Sequence, residues 1–297
     1  MREYQPRRVP RHDSIRLRGL STHLTCWGPA PSAGQPPLFL LHGFQDTSDT
    51  FQFLVDAFVF DAALVALDWR GFGRTDWPAD GYWFPDYVAD LDALLEAFSP
   101  GEPVRIVGHS MGGNVAGIYA GARPDRVRCV VNIEGLGLPR TQPSQAVGRL
   151  AQWLKQLHEQ PILPSYADFE ELAERIRRRY PRVPPERLRF IARSWARTEA
   201  DGRVHLLGDP RHRRVNPVLY RRDEVESCWS AVRCPMLMLF GGKSGFAQAL
   251  GADGSEARFR ELIPGLQTRT IEGAGHMMHL ECPERIAPLI QAFLEAH

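Results

Sequence analysis

The sequence is short of the features that would commit it to a membrane, a nucleic acid or a disulfide scaffold. It has no apolar run approaching the roughly 18 residues of a membrane span. The basic start, Met1 to Pro10, leads into no apolar stretch, so it does not read as a secretory signal. Cysteine is sparse and unpatterned. Cys26, Cys129, Cys228, Cys234 and Cys282 are odd in number, and no C-x-x-C occurs. That usage suits reduced thiols in a reducing compartment, and the expected location is cytoplasmic. The net charge of +1 is too small for a dedicated nucleic-acid binder. No repeat with a period of about 20–50 residues stands out.

Cofactor motifs are missing as well. There is no H-E-x-x-H. Gly242-Lys243-Ser244 resembles the end of a phosphate-binding loop, but Leu237 stands where that loop needs its first glycine. Gly71-Phe72-Gly73 lacks the third glycine of a dinucleotide fingerprint, and Asp76 occupies the position. No nucleotide, flavin or metal is expected, and the partner implied is a small-molecule substrate.

What is present is an ordinary globular composition, 43% hydrophobic and 24% charged, over 297 residues. That length suits one large domain, or one domain with a sizeable insertion, and such a core needs no metal or disulfide. The strongest local signal is Val104-Arg-Ile-Val-Gly-His-Ser-Met-Gly-Gly113. A strand-like run enters Gly108-x-Ser110-x-Gly112 and a helix-like run, Asn114 to Gly121, leaves it. A serine on so sharp a turn is strained, and the flanking glycines remove side chains that would strike neighbouring backbone. The turn exposes the Ser110 hydroxyl at the end of a sheet, next to free N–H groups of the new helix.

The rest of the chain supplies a setting for that turn. Residues 15–20 and 22–27 alternate around Gly19 as a β-hairpin at a sheet edge. Leu38–Leu41, Ala63–Leu67, 104–107 and Arg128–Ile133 are short apolar runs suited to strands buried on both faces. Helical spacing separates them at 47–60 and 87–98. This alternation predicts an α/β fold, a mostly parallel sheet with helices on both faces. Ligands bind beyond the carboxyl ends of such strands, and His42, Asp68, Ser110 and Glu134 all follow a strand directly.

The pattern changes from Pro139 to Arg233. No buried strand is evident there, and 152–158, 169–180 and 186–198 read as helices. The segment holds 19 Arg and Lys against 12 Asp and Glu, a surplus of seven positive charges. One reading is a set of solvated helix faces; another is a positive field that draws acidic substrates. Strands return at Met236–Phe240 and Gln267–Ile271, and a helix at 284–296 closes the chain.

The elbow, the His42-Gly43-Phe44 turn, the Asp68-Trp-Arg-Gly-Phe-Gly-Arg74 loop and Gly273-Ala-Gly-His276 occur in one order. Together they resemble the α/β-hydrolase superfamily, closest to Ser-nucleophile members with an inserted helical cap. The resemblance implies a core of 1–138 and 234–297 and a helical cap of 139–233. It implies Ser110 as nucleophile, His276 as its base, and backbone N–H groups of Phe44 and Met111 as an oxyanion hole. It departs from the commonest family pattern at the acid. The turn after 236–240 reads Gly241-Gly-Lys-Ser244, with serine where an aspartate is usual. Some members carry the acid one strand earlier, and Glu134 occupies that place. Asp253 and a Ser–His dyad are the alternatives.

His279, three residues after His276, is a rival base or a pocket residue. A His-x-x-His metal site lacks a nearby third ligand in the sequence. Two roles are open to His42, substrate contact or a structural hydrogen bond. His109 packs or bonds locally beside the nucleophile and is a further pocket candidate. Phe44, Trp153 and Trp195 are candidate pocket walls, suiting a medium-chain or aromatic acyl group. The expectation is a serine esterase working through an acyl-enzyme. A C–C hydrolase, lactonase or amidase would share the triad, and a catalytically silent receptor of the same fold is the non-enzymatic alternative.

Overall fold

A computed structural model describes residues 3–32 and 34–297. Met1 and Arg2 of the basic arm, and Ala33 of the following loop, lie outside the described residues. In chain order the large-sheet region begins β1 (Arg11–Leu17), β2 (Leu20–Trp27), β3 (Leu38–Leu41), α1 (Gln52–Ala57), β4 (Leu64–Leu67) and α2 (Phe84–Phe98). It continues with β5 (Val104–His109), α3 (Met111–Ala122) and β6 (Val127–Ile133). The segment from 139 to 233 then gives α4 (Ala146–Leu157), β7 (Ser165–Tyr166), α5 (Phe169–Arg179), α6 (Pro185–Trp195), β8 (Ala196–Thr198), β9 (Val204–Leu206) and α7 (Arg222–Ser230). The chain returns through β10 (Met236–Gly241), α8 (Gly245–Leu250), α9 (Glu256–Leu262), β11 (Gln267–Ile271), α10 (Met278–Glu281) and α11 (Pro283–Ala296).

Eight strands form one sheet in the order β1-β2-β4-β3-β5-β6-β10-β11. β2 runs antiparallel to β1 and β4, and the remaining neighbours are parallel. The residues explain the order. β3 and β4 are apolar and buried throughout, as befits strands covered on both faces. β1 and β11 carry polar, exposed positions and take the two edges. Helices cover both faces, α2, α3 and α7 with Tyr87, Leu91, Tyr119 and Trp229 on one side, and α1 and α11 with Leu54, Ile286 and Ile290 on the other.

The first crossovers run from β3 outward to β4, and the chain then returns to the far side of β3 as β5. This reversal opens a crevice beyond the carboxyl ends of β3 and β5. The two loops there are in contact. A Cβ added at Gly43 would stand 2.9 Å from His109 Nδ1 and 3.0 Å from Ser110 Cβ.

Two expectations need correction. The helix expected over 47–60 is a 3₁₀ turn, Ser48–Phe51, followed by α1, because the chain turns extended at Phe58. Residues 139–233 are not purely helical. β7, β9 and β8 form a three-stranded antiparallel sheet, with strands of two or three residues that are too short to show alternation. This segment has its own apolar cluster, Leu172, Ile176, Leu188 and Ile191, which meets the main body at Phe53, Met277 and Leu280. Trp229 belongs instead with the main core, against Phe259. No helix among the described residues is long and apolar enough to cross a membrane.

Candidate active site

β5 delivers Ser110 into the crevice in a conformation that L-residues rarely adopt, φ 50° and ψ −115°. Such a backbone costs about 1–3 kcal/mol and persists only where its surroundings hold it. The surroundings are tight. A Cβ at Gly108 would lie 2.6 Å from the Gly112 carbonyl, and one at Gly112 would lie 2.2 Å from the Leu41 carbonyl oxygen. Glycine is therefore required at both positions for helix α3 to sit against β3 and β5. The Ser110 N–H donates to the Ile133 carbonyl at 2.8 Å, which ties the turn to the end of β6.

His276 lies in the turn after β11, and its Nε2 is 3.0 Å from Ser110 Oγ. Its Nδ1 is 3.2 Å from Glu134 Oε2. Glu134 follows β6, has positive φ (56°) and is fully buried. Three groups surround its carboxylate: the Gly241 N–H donates to Oε1 at 2.6 Å, Ser244 Oγ donates to Oε2 at 2.5 Å, and His276 meets the same Oε2. A buried carboxylate without such donors would be prohibitively costly. Ser244 thus touches the carboxylate rather than replacing it, and its Oγ also accepts from Ala247 N–H as the N-cap of α8. Asp253 is far from this histidine's bonds, paired with Arg140 at 3.0 Å and Arg222 at 3.6 Å.

Phe44 and Met111 both line the cavity above Ser110. Among the described residues, the backbone N–H of neither finds an acceptor within the chain: Met111 begins α3, and Phe44 lies in a turn where the Asp46 N–H, not its own, reaches the Gly43 carbonyl. The cavity is about 700 Å³, and Tyr82, Trp83, Leu136, Trp153 and Phe246 form much of its wall.

The other candidates separate. His42 is fully buried and is not in that cavity's wall. Its Nδ1–H donates to the Gly43 carbonyl at 2.7 Å, and its Nε2 accepts from Trp69 N–H at 2.9 Å. That corrects its inclusion among pocket residues: it pins the loop that carries Phe44. Burial lowers its pKa. His279 is corrected likewise. It is fully buried, and its Nε2 is 3.1 Å from Asp46 Oδ2, away from Ser110. Trp195 lines a neighbouring cavity of about 350 Å³ rather than the one over Ser110, and its Nε1 donates to Asp46 Oδ1 at 2.7 Å. His109 lines the main cavity, and its Nε2 is 3.0 Å from the His276 carbonyl oxygen. Burial, then the neighbouring His279 and His276, push its pKa well below the ordinary imidazole range, so it stays neutral.

Three residues escape sequence reasoning. Asp46 is buried beneath the crevice, where Thr47 N–H, Thr50 Oγ1, Trp195 and His279 all approach it. Burial alone would raise its pKa; the bonds from His279 and Trp195 and the charge of His279 and His42 outweigh that and lower it. The polar run Asp46-Thr-Ser-Asp-Thr50 is the only signal in the sequence for it. His212 is stacked between Phe72 (3.9 Å) and Tyr82 (3.6 Å) in the cavity wall, and burial lowers its pKa to about 4. Nothing in its sequence context marks it. Ser244 is noticeable only as an absent aspartate. For metals, the donor atoms of Asp46, His109 and His279 lie within 4.8 Å of one another, as do those of His12, His23 and Asp49 near the surface. His276 belongs to neither group.

Residues 36–283 match a family model described as alpha/beta hydrolase fold. A "serine hydrolase-like protein" of Danio rerio is 29% identical over 280 residues, covering 91% of this chain and 83% of that protein. A "2-(acetamidomethylene)succinate hydrolase" of Mesorhizobium japonicum is 28% identical over 264 residues, covering 89% and 90%. Among solved structures, the thioesterase domain from the curacin biosynthetic pathway superposes with a TM-score of 0.83 at 21% identity, over 96% of this chain and 99% of that one.

Proposed function

The chain belongs to the alpha/beta hydrolase fold family, and on that premise we propose that it is a serine hydrolase cleaving an ester-like bond through an acyl-enzyme. The observation that carries this reading is the unbroken contact from Ser110 Oγ through the His276 ring to Glu134, 3.0 Å and then 3.2 Å. Glu134 accepts a hydrogen bond from the His276 Nδ1–H, which leaves the Nε2 lone pair facing Ser110.

Ser110 Oγ attacks the acyl carbon and its proton passes to His276 Nε2. The carbonyl electron pair moves onto oxygen, where the Phe44 and Met111 amides receive the charge. The bond to the leaving alcohol then breaks, and His276 returns the proton to that alcohol. Water repeats the sequence on the acyl-enzyme and releases the acid. Residues 139–233 act as a cap over the cavity, and 1–138 with 234–297 form the catalytic core. A lactonase, amidase or Ser-dependent C–C hydrolase would use the same side chains, so bond type is settled by substrate.

A fluorophosphonate probe tests the core of this reading. Stoichiometric labelling that is lost in Ser110→Ala is expected. Absence of labelling in the folded wild-type protein would leave a silent receptor as the better account. A series of p-nitrophenyl esters from acetate to palmitate, with lactones and acidic esters, then orders the substrate classes.

A further inference from the structure

The surplus of basic residues in 139–233 is not spread evenly once ion pairs are assigned. Arg177 and Arg178 are both paired with Glu174, Arg189 with Glu170 and Glu3, Arg187 with Glu284, and Arg197 with Glu199. Arg177, Arg178, Arg189 and Arg197 form the solvated faces that a charge-rich segment usually presents, whereas Arg187 is buried. Arg175, Arg179, Arg213 and Arg214 differ. None has a carboxylate within 4.0 Å among the described residues, and all four line the two cavities of the site. Arg179 is shared by both cavities, which also meet at Gln45, Tyr180 and His212.

The placement on α5 is specific. Arg175 and Arg179 are four residues apart, so they stand on one face of the helix, and like charges at that spacing repel. Glu174 answers Arg177 and Arg178, and Glu171, one turn before Arg175, receives the Ala167 N–H at its own carboxylate. The remaining hydrogen bonds of the four are to neutral groups: Arg179 Nε donates to Tyr180 Oη at 2.9 Å, Arg213 to the Ile162 carbonyl, and Arg214 to the Glu159 carbonyl. The acidic side chains nearby do not neutralise them. Asp209 is bound by Arg211 and Tyr82, and Asp46 by Trp195, Thr50 and His279. Asp80 is the one further carboxylate in either wall, and it is exposed.

We propose that the second cavity, with Arg175, Arg179 and Arg213 in its wall and Arg214 at the adjoining face, is a subsite for an oxyanion at the far end of the substrate. The substrate class is then an ester with an apolar middle and a terminal carboxylate or phosphate. The apolar part lies along Tyr82, Trp153 and Phe246 near Ser110, and the anion reaches the arginines. Arginine suits both oxyanions, since its planar fork donates two parallel bonds. The aromatic side chains of Tyr166, Tyr180 and Trp195 border the subsite, and Arg175, Arg179 and Arg213 are solvent-exposed, so their attraction for an anion is screened by salt.

This inference rests on the serine-hydrolase reading, and the experiment separates the two. The wild-type enzyme is given p-nitrophenyl hexanoate and the p-nitrophenyl monoester of adipic acid, which differ by the terminal carboxylate. The acidic ester is expected to show the higher kcat/KM, with a KM that rises as sodium chloride is added. In Arg175→Gln/Arg179→Gln the ratio of acidic to neutral kcat/KM should fall roughly tenfold or more, mainly through KM. Arg214→Gln provides a second variant, with a smaller fall expected. Suberate and hexyl phosphate, added as competitive inhibitors, show which oxyanion fits better. Either one inhibiting in an arginine-dependent way supports the subsite. Equal kcat/KM for the two esters, or an unchanged ratio in the double variant, overturns it while leaving the hydrolase intact. Failure to cleave either ester, together with no fluorophosphonate labelling, overturns the hydrolase instead. In that case suberate and hexyl phosphate binding by calorimetry, lost in the double variant, would still support the subsite, and no binding would sink it.

Discussion

Replacing Glu134 with glutamine isolates the charge of the acid from its shape. The carboxylate meets one fixed donor, the Gly241 N–H, and two adjustable ones, the Ser244 hydroxyl and the His276 ring, whose proton can sit on either nitrogen. A backbone N–H cannot reverse its role, so the glutamine oxygen must take the Oε1 position beside Gly241. The glutamine NH2 then falls at Oε2, facing Ser244 and His276. Ser244 can rotate its hydroxyl to accept. His276 can accommodate an NH2 donor only by presenting a bare Nδ1, which moves its proton to Nε2. That tautomer points an N–H at Ser110 Oγ and cannot take the serine proton. In the serine-protease triad the equivalent carboxylate-to-amide change lowers kcat about 10⁴-fold with geometry intact, which corresponds to about 5.4 kcal/mol of barrier.

The assay is kcat on the best p-nitrophenyl ester, with circular dichroism and thermal unfolding as controls for the fold. A fall of roughly 10³–10⁵-fold is expected. Retention of activity within tenfold would refute the reasoning, since it would mean that His276 needs no ionised partner at Glu134. Asp253→Asn is the matched control and should leave kcat within a few-fold, because Asp253 is engaged with Arg140 and Arg222.

Three further perturbations test the surroundings. Ser244→Ala removes the 2.5 Å bond to Glu134; a bond to a charged group of this kind carries about 1.5–3 kcal/mol, so steady-state kinetics should show a kcat reduction of roughly tenfold or more, with Ser244→Thr restoring part of it. His279→Leu leaves Asp46 Oδ2 without its partner in a fully buried site, and urea unfolding should record a loss of about 3 kcal/mol; a loss under about 1 kcal/mol would show that the pair adds nothing. His212 titrates at about 4 in the fold against 6.5 for an ordinary imidazole. The unfolded chain therefore binds the proton first, and stability is full above pH 6.5 and falls as pH drops toward 4, by about 3 kcal/mol in all. Thermal unfolding between these limits should lose that slope in His212→Gln, and an unchanged slope would assign it to other groups.

The large sheet is legible in the sequence because its strands are short apolar runs whose ends coincide with functional turns. Leu38–Leu41 ends at His42-Gly43-Phe44, and 104–109 ends at Ser110. Burial on both faces leaves few other assignments for such runs. The segment 139–233 is less legible for a matching reason. Its strands have two or three residues, and its helices are amphipathic surfaces whose partners lie far away in sequence, such as Ile176 and Leu188 against Leu280. The site divides along the same line. Ser110 and His276 sit in glycine-containing turns with a sequence signature. Asp46 and His212 act through partners brought in by the fold, Trp195 and His279 for one, Phe72 and Tyr82 for the other, and no local pattern predicts them. The basic surplus is visible by counting, but only the fold separates arginines paired with a neighbouring carboxylate from those that line a cavity without one.

The position of the Glu134 carboxylate makes sense of two otherwise unrelated oddities, the serine at 244 and the positive φ at Glu134. β6 and β10 are parallel neighbours, with Ile133 beside Leu239, and the Glu134 N–H donates to the Leu239 carbonyl at 3.1 Å. An acid leaving the end of β6 must therefore reach across the end of β10 to meet His276. The left-handed backbone at Glu134 turns the chain away from the sheet at that point, and the longer glutamate side chain spans the gap. The turn after β10 then no longer has to supply a carboxylate; it has to receive one. Gly241 and Ser244 do so with an N–H and a hydroxyl. An aspartate at 244 would bring a second negative charge against a fully buried carboxylate, and like charges so close cannot both ionise. Serine at 244 is thus the consequence of glutamate at 134, and the two positions form one unit: a carboxylate from one strand end and its donors from the next.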